Sequence, residues 1–511
     1  MQLNPKRYKA DELFYILICI MFIPLIWVST LADGVDVTNH GAQIATIKDL
    51  VMSRDSILTE HFEWSHFSPY ILSYATSLLL SFFFSIDTSM RLLMTVTNLL
   101  SMLFIYKIAK ESKTDLILAS LLIPTIFGFS YHWGYLSFNT SIWMGLASVH
   151  YSLCSLKYNQ FKDHQLKLTF LSIALAFSHA LVFLVTCVIL FVVACYNLSQ
   201  DNLKKIIRAS VPFFITLGTL LIWSAYISSS ANEVGDIPAI WTYRMTDWQH
   251  IIGGLNGLSI FNTPAFLGVF VLCIPIVTGG KVRSFKYTCF AIFGIVGIIL
   301  IPTHTFGIWD VRPRLTFLIP MIFIFAFKGR SDIPFSSVTL ILASLGYSFI
   351  TLYTHANEIS ERQDKVIDML ELVPNNQRIL MIISDHKHSP DKSFNMGFNL
   401  HAHYQTAGRG IVDPNFATAM TTPLRFKDEA NLFLLSGGTF EGTRLEGSLG
   451  TPTDFMYRYL GYPIEEYDYA VEISSEKPIV DVGGIREFEG VALGVLMQHN
   501  PPFSLWKLSK Q

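Results

Sequence analysis

Apolar residues in this chain come in long blocks, separated by short connectors rich in lysine and arginine. The first block, Leu13 to Leu31, follows Lys6, Arg7 and Lys9. A cleaved signal peptide has an apolar core of about 7–15 residues, so this longer block predicts an uncleaved membrane span with a cytoplasmic N-terminus. Further blocks predict crossings near 90–108, 115–131, 138–156, a pair within 168–197, then 209–228, 258–278, 287–304, 315–328 and 334–352. Lysine and arginine in short loops stay on the cytoplasmic side. The clusters Lys107/Lys110/Lys113, Lys157/Lys162/Lys167, Lys204/Lys205/Arg208, Lys281/Arg283/Lys286 and Lys328/Arg330 therefore set the parity of the crossings. A polytopic α-helical membrane protein with about eleven transmembrane helices satisfies them, N-terminus in and C-terminus out.

Two blocks resist a simple crossing. Tyr70 to Ile86 is apolar enough, but a crossing there would carry the Lys107 cluster outside. The stretch of about 68–86 therefore reads as an interfacial helix in the outer leaflet, preceded by an acidic first external loop, 32–67. Leu168 to Tyr196 is too long for one span and too short for two, with Ser178-His179 near its middle. Half-length helices are tolerated where protein or a water-filled cavity covers their ends, which puts His179 at a turn below the outer surface. After Tyr353 the long apolar blocks stop. A charged helix over His355 to Leu372 and strands at Arg378 to Ser384, Tyr469 to Ile473 and Ser504 to Leu508 predict a small extracytoplasmic α/β domain, 354–511, behind a transmembrane domain, 1–353.

Composition sharpens this picture. Only 15% of the 511 residues are charged and 51% are hydrophobic, against about a quarter charged in soluble domains. No basic block or basic-aromatic motif is present, so nucleic acid is excluded as a partner. The six cysteines all lie in apolar blocks, which leaves the tail without a disulfide or a paired-cysteine metal motif. An exported domain without disulfides points to a bacterial inner (cytoplasmic) membrane, with the tail in the periplasm.

On this topology the polar residues that are costly near a membrane gather at one face. Asp33 and Asp36 follow the first span, where a carboxylate can deprotonate an acceptor hydroxyl or hold a divalent cation such as Mg or Mn. His40 lies on the same segment, and Glu63 and His66 are spaced to share a helical face. His304, Asp310, Arg312 and Arg314 lead into a span from outside, and guanidinium forks match phosphate oxygens. His179 is either a packed imidazole or part of the site. His386/His388 and His401/His403 alternate, as two zinc ligands on one face of a strand would, but no third ligand has a fixed spacing. Nucleotide chemistry has no support, because Walker, dinucleotide-glycine and nucleophile-elbow motifs are missing.

Asp33-Gly34-Val35-Asp36, Asn39-His40, Ser68-Pro69-Tyr70, Ser178-His179 and His401-Ala402-His403-Tyr404 ahead of a Gly-Arg-Gly segment sit in this layout. Together they resemble the C-type glycosyltransferases (GT-C superfamily), integral membrane enzymes that move a sugar from a polyprenyl-phosphate carrier to an acceptor outside the cytoplasm. The resemblance implies that Asp33 or Asp36 is the catalytic base and that Arg312 or Arg314 contacts the carrier phosphate. It also implies a polyprenyl-phosphate sugar donor, a glycan, lipid or protein acceptor, and contact with membrane lipids. A Trp-Trp-Asp acceptor signature is absent, which argues against en bloc glycan transfer to asparagine. The rivals are a polysaccharide polymerase or ligase using lipid-pyrophosphate donors, a transporter or flippase, and a non-catalytic scaffold. A transporter would need ionisable groups strung across the bilayer, and few lie at that depth.

Overall fold

The computed structural model describes residues 5–32, 34, 36–64, 70–158, 161–196, 207, 210–222, 274–277, 280–282, 285–302, 311–328, 335–383, 400–412, 424–427, 467–473, 486–488, 491–493 and 495–508. The chain forms two compact units. A helical unit comprises Met1–Val28, Leu92–Asn232 and Asp236–Ala356; a mixed unit comprises Ser29–Arg91, Glu233–Gly235 and Asn357–Gln511. The polar tail thus separates close to the expected boundary, but it takes residues 29–91 with it.

In the helical unit, Leu136–Tyr158 packs against the helix pair Phe161–Ser178 and Ala180–Tyr196. Tyr151 meets His164 at 5.1 Å between ring centroids, and Phe138 meets His179 at 5.2 Å, so the first of the pair runs antiparallel to Leu136–Tyr158. Beyond His179 the direction reverses. A Cβ on Gly145 would sit 2.8 Å from Thr186 Oγ1, a spacing that requires Ala180–Tyr196 to run parallel to Leu136–Tyr158. His179 is therefore the corner of a helical hairpin, and its N–H and C=O still complete helical bonds to Leu175 and Phe183.

Basic residues collect at one end of this unit. Lys110 Nζ lies 3.0 Å from Glu12. Lys281–Val282 pairs antiparallel with Phe327–Lys328, and Thr114 Oγ1 donates to the Phe327 carbonyl at 3.4 Å. Lys107 stands 4.9 Å above the Phe104 ring. That ring touches Tyr151, over which Lys167 lies at 5.0 Å. Four of the clusters that charge sorting assigns to one side are thus neighbours, and Phe138 and His179 lie about 20 Å further along Leu136–Tyr158.

Four helices are long and apolar enough to cross a membrane: Lys9–Trp27, Ile86–Ser112, Leu116–Trp133 and Ser336–Glu371. The expected count of about eleven is not reproduced among the described residues. A span needs about 20 apolar residues, whereas the block at 287–304 forms a helix of 16 residues, Phe285–Leu300. The block at 315–328 splits into Val311–Leu315 and Leu318–Phe325. Most of 258–278 lies outside the described residues. The charged helix expected at His355 is the continuation of the last span, because Phe335–Glu371 is a single helix of 37 residues.

The mixed unit is built on a five-stranded sheet in the order Val495–Asn500, Phe503–Lys507, Tyr469–Ile473, Gln377–Ile383, Gly410–Val412. Its last three strands are parallel and the other neighbours antiparallel. The segment 32–67, expected to be a loop, instead carries the 15-residue helix Val37–Val51, helix Ile57–His61 and strand Phe62–Trp64. Gln405 Nε2 donates to Thr46 Oγ1 at 2.9 Å, and a Cβ on Gly41 would lie 2.8 Å from Thr406 Oγ1. The helix is therefore locked onto the tail.

The Gly-Arg-Gly segment has a structural task. Arg409 donates to the carbonyls of Leu370 and Val373 and to Asn375 Oδ1, satisfying acceptors left open where Phe335–Glu371 ends. Gly408 adopts a left-handed φ of +69°, and a Cβ on Gly410 would collide with the Gln377 carbonyl and the Tyr404 ring. Gly410→Ala is expected to destabilise the mixed unit by about 2 kcal/mol, the scale of overpacking at a closed site. A thermal melt within error of the parent chain would contradict it.

Candidate functional site

The expected site residues fall into both units. Asp33, Asp36, His40, Glu63 and His66 belong to the mixed unit, and His179, His304, Asp310, Arg312 and Arg314 to the helical unit. Asp33, His66, His304 and Asp310 lie outside the described residues.

In the mixed unit, helix Val37–Val51 starts from Asp36 and lies beside helix Ile71–Ser81. Asp36, His40 and Gln43 recur at i, i+4 and i+7, as do Tyr70, Tyr74 and Ser77 on the partner helix. These are the spacings of a helical stripe, and here the facing stripes are polar. His40 Nδ1 and the Tyr74 hydroxyl are 2.6 Å apart. Burial pushes the Tyr74 hydroxyl well above its ordinary pKa, and the charge of Asp36 adds to the effect. Tyr74 therefore keeps its proton for hydrogen bonding. Gln43 Oε1 and Ser77 Oγ are buried along the same seam without a protein hydrogen bond among the described residues.

The chain up to Ala32 is held firmly. Thr30 Oγ1 donates to Asp364 Oδ1 at 2.6 Å and Leu31 N–H to Gln363 Oε1 at 2.7 Å. Ala32 N–H donates to Asp87 Oδ1 at 2.6 Å. Asp87 also pairs with Arg91 at 2.8 Å, and Arg91 reaches back to the Thr30 carbonyl. Glu63 does not join the seam: it is exposed on strand Phe62–Trp64, in register with Arg425. Sharing a helical face with His66 is therefore not its arrangement.

His401 and His403 are not on a strand. They occupy a 3-10 turn, Leu400–Ala402, and the helical turn His403–Thr406, so alternation does not turn them to one face, and the zinc reading loses its geometry. His386 and His388 lie outside the described residues. Among the described residues no three His, Cys, Asp or Glu side chains lie close enough to hold a metal. Mg and Mn want several oxygen ligands, and Asp36 is the one described carboxylate of the seam.

Burial lowers the pKa of His403, with Asp87 opposing the shift and Arg409 reinforcing it. The unfolded chain then binds a proton more readily than the folded one. The neutral imidazole's contribution to stability is complete above about pH 6.5, the ordinary value, and is lost as pH falls through the lower folded value. His403→Gln is expected to flatten the acid limb of a melting-temperature profile; an unchanged acid limb would contradict it.

In the helical unit, the two arginines flanking Pro313 do different things. Arg312 is fully buried, and its Nε donates to the Ile301 carbonyl at 2.9 Å, at the end of helix Phe285–Leu300. Cations favour helix C-termini, and Arg312 caps this one through Nε. Arg314 is half-buried, its guanidinium carbon 3.4 Å from the centroid of the Tyr135 ring. Its Nε is buried without a hydrogen-bond partner among the described residues. Ser130 Oγ donates to the Arg314 carbonyl at 3.4 Å, and Asn139 Nδ2 to the Ser130 carbonyl at 2.8 Å. His179, buried against Phe138, is close enough to feel the Arg314 charge.

Tyr135, Ser130 and Asn139 were not singled out in the sequence, nor were Tyr74 and Gln43. Their signal was there: polar residues inside or beside apolar blocks, where each costs free energy unless it has a task. Compared with protein-family models, curated proteins and solved structures, the chain matches none.

Proposed function

We propose that the protein is a bacterial inner-membrane glycosyltransferase that moves a sugar from a polyprenyl-phosphate donor to an acceptor hydroxyl at the outer face. Arg314 carries the proposal. A guanidinium stacked on an aromatic ring, with a buried N–H left over and no carboxylate bonded to it among the described residues, is prepared for an anion such as a lipid phosphate. Arg312 is already committed to the Ile301 carbonyl.

In the reaction, a carboxylate of Asp33 or Asp36 accepts the proton of the acceptor hydroxyl, and the oxygen attacks the anomeric carbon from the face opposite the phosphate. The carbon–oxygen bond to the phosphate breaks, and the electron pair leaves with the lipid phosphate. Fixed donors help most where charge develops. His40 and Tyr74 line the seam that starts at Asp36 and position its helix.

The test is transfer by reconstituted protein offered a panel of labelled polyprenyl-phosphate and polyprenyl-pyrophosphate sugars. Turnover with a monophosphate donor and inversion at the anomeric carbon support the proposal. Turnover restricted to pyrophosphate donors, with products of many repeating units, replaces it with the polymerase reading.

A further inference from the structure

At the basic end of the helical unit, Phe104 and Tyr151 meet edge to face, 6.0 Å between ring centroids. Lys107 Nζ stands 4.9 Å from the first ring and Lys167 Nζ 5.0 Å from the second. His150 touches both rings, at 5.9 and 5.3 Å, and His164 meets Tyr151 at 5.1 Å. Three helices contribute: Ile86–Ser112, Leu136–Tyr158 and Phe161–Ser178. His150 is close enough to feel the charges of Lys107, His164 and Lys167, with Glu111 opposing them. Among the described residues neither lysine forms an ion pair with a carboxylate. Cations drawn together repel one another, and sorting to one side of a membrane is satisfied equally well by lysines spread apart. Their convergence from three helices fits an anion held between them.

The apolar surface beside the cluster says what kind of anion. On Ile86–Ser112, Val96, Leu99 and Leu103 are exposed, and this stripe reaches Lys107 four residues after Leu103. On Phe161–Ser178, Leu166, Phe170 and Ile173 are exposed, and Lys167 lies three residues before Phe170. Side chains three and four apart share a helix face, so each exposed apolar stripe ends at a lysine. A free phosphate gains nothing from such a surface, whereas a lipid lays its acyl chains on it.

We infer that this end of the helical unit binds the head-group phosphate of an anionic phospholipid between Lys107 and Lys167, with the acyl chains along the two stripes. Basic pockets between transmembrane helices hold anionic head groups in this way. The rings support the lysine stems and leave each ammonium group as a point charge for the phosphate. Tyr135 and Arg314 lie at the other end of the Leu136–Tyr158 helix. The site therefore rests on the membrane reading of the chain and not on the glycosyltransferase reading.

The test is native mass spectrometry of the full chain, released from detergent micelles and titrated with phosphatidylglycerol, phosphatidylcholine or inorganic phosphate. The parent chain is expected to hold phosphatidylglycerol in preference to the other two. Each lysine near an anionic surface contributes about fivefold, so the double variant Lys107→Gln/Lys167→Gln should bind phosphatidylglycerol about 30-fold more weakly. Lys281→Gln/Lys328→Gln, which removes a basic pair from the same end of the unit, should bind it as the parent does. Glu111→Gln should bind it more tightly, a gain that a misfolded protein cannot show. Parent-like affinity in the Lys107/Lys167 variant, an equal loss in the Lys281/Lys328 variant, or phosphatidylcholine or inorganic phosphate held as tightly as phosphatidylglycerol would each overturn the inference.

Discussion

Replacing both Asp33 and Asp36 by asparagine is expected to slow sugar transfer by about 10²–10⁴-fold, the usual contribution of a positioned general base. The change is isosteric and leaves the donor's phosphate contact alone, so the loss should appear in kcat and not in KM. One of the two single variants should reproduce it. Asp36 lies at the start of helix Val37–Val51 beside the His40–Tyr74 pair. Asp33 follows the backbone held by Asp87 and Gln363. Steady-state rates of all three variants decide the matter, and parent-like turnover in the double variant would remove the base.

The arginines should separate just as cleanly. Arg314→Ala removes a charge-assisted contact worth about 1.5–3 kcal/mol, so KM for the lipid donor should rise by about 10–150-fold, with the fold intact. Arg312→Ala should instead strip the cap from Ile301 and leave a void where a fully buried side chain stood. A loss of about 2–3 kcal/mol in stability is expected, with donor KM unchanged in the protein that folds. Melting curves beside donor titrations test both. Exchange of the two phenotypes would mean that the phosphate contact has been assigned to the wrong residue.

Much of the fold was legible in the residues, and what was hidden has physical causes. Strands where β-branched and aromatic residues cluster were readable, with Tyr469–Ile473 found as expected and Gln377–Ile383 displaced by one residue. Four of the basic clusters come together at one end of the helical unit, the grouping that charge sorting leads one to expect. Helix Val37–Val51 was not readable. It is covered by helix Ile71–Ser81 and by the His403–Thr406 turn, and burial on several faces leaves no amphipathic stripe to find. The count of about eleven spans is not confirmed among the described residues, where an apolar block such as 315–328 breaks into the short helices Val311–Leu315 and Leu318–Phe325.

Site residues were less legible than elements. Arg312 and Arg314 look alike in a sequence, and what separates them is Ile301 and Tyr135, 11 residues upstream of one and 179 upstream of the other. His401 and His403 suggested a strand face because alternation was the visible pattern, whereas the local backbone is helical.

The central claim is that this chain recognises the phosphate of a polyprenyl lipid through Arg314. Equilibrium binding of polyprenyl monophosphate to the protein in nanodiscs tests it without requiring the sugar or the acceptor to be known. The parent chain and Arg312→Lys are expected to bind alike and Arg314→Ala at least about tenfold more weakly; equal affinity of Arg314→Ala and the parent chain would contradict the account.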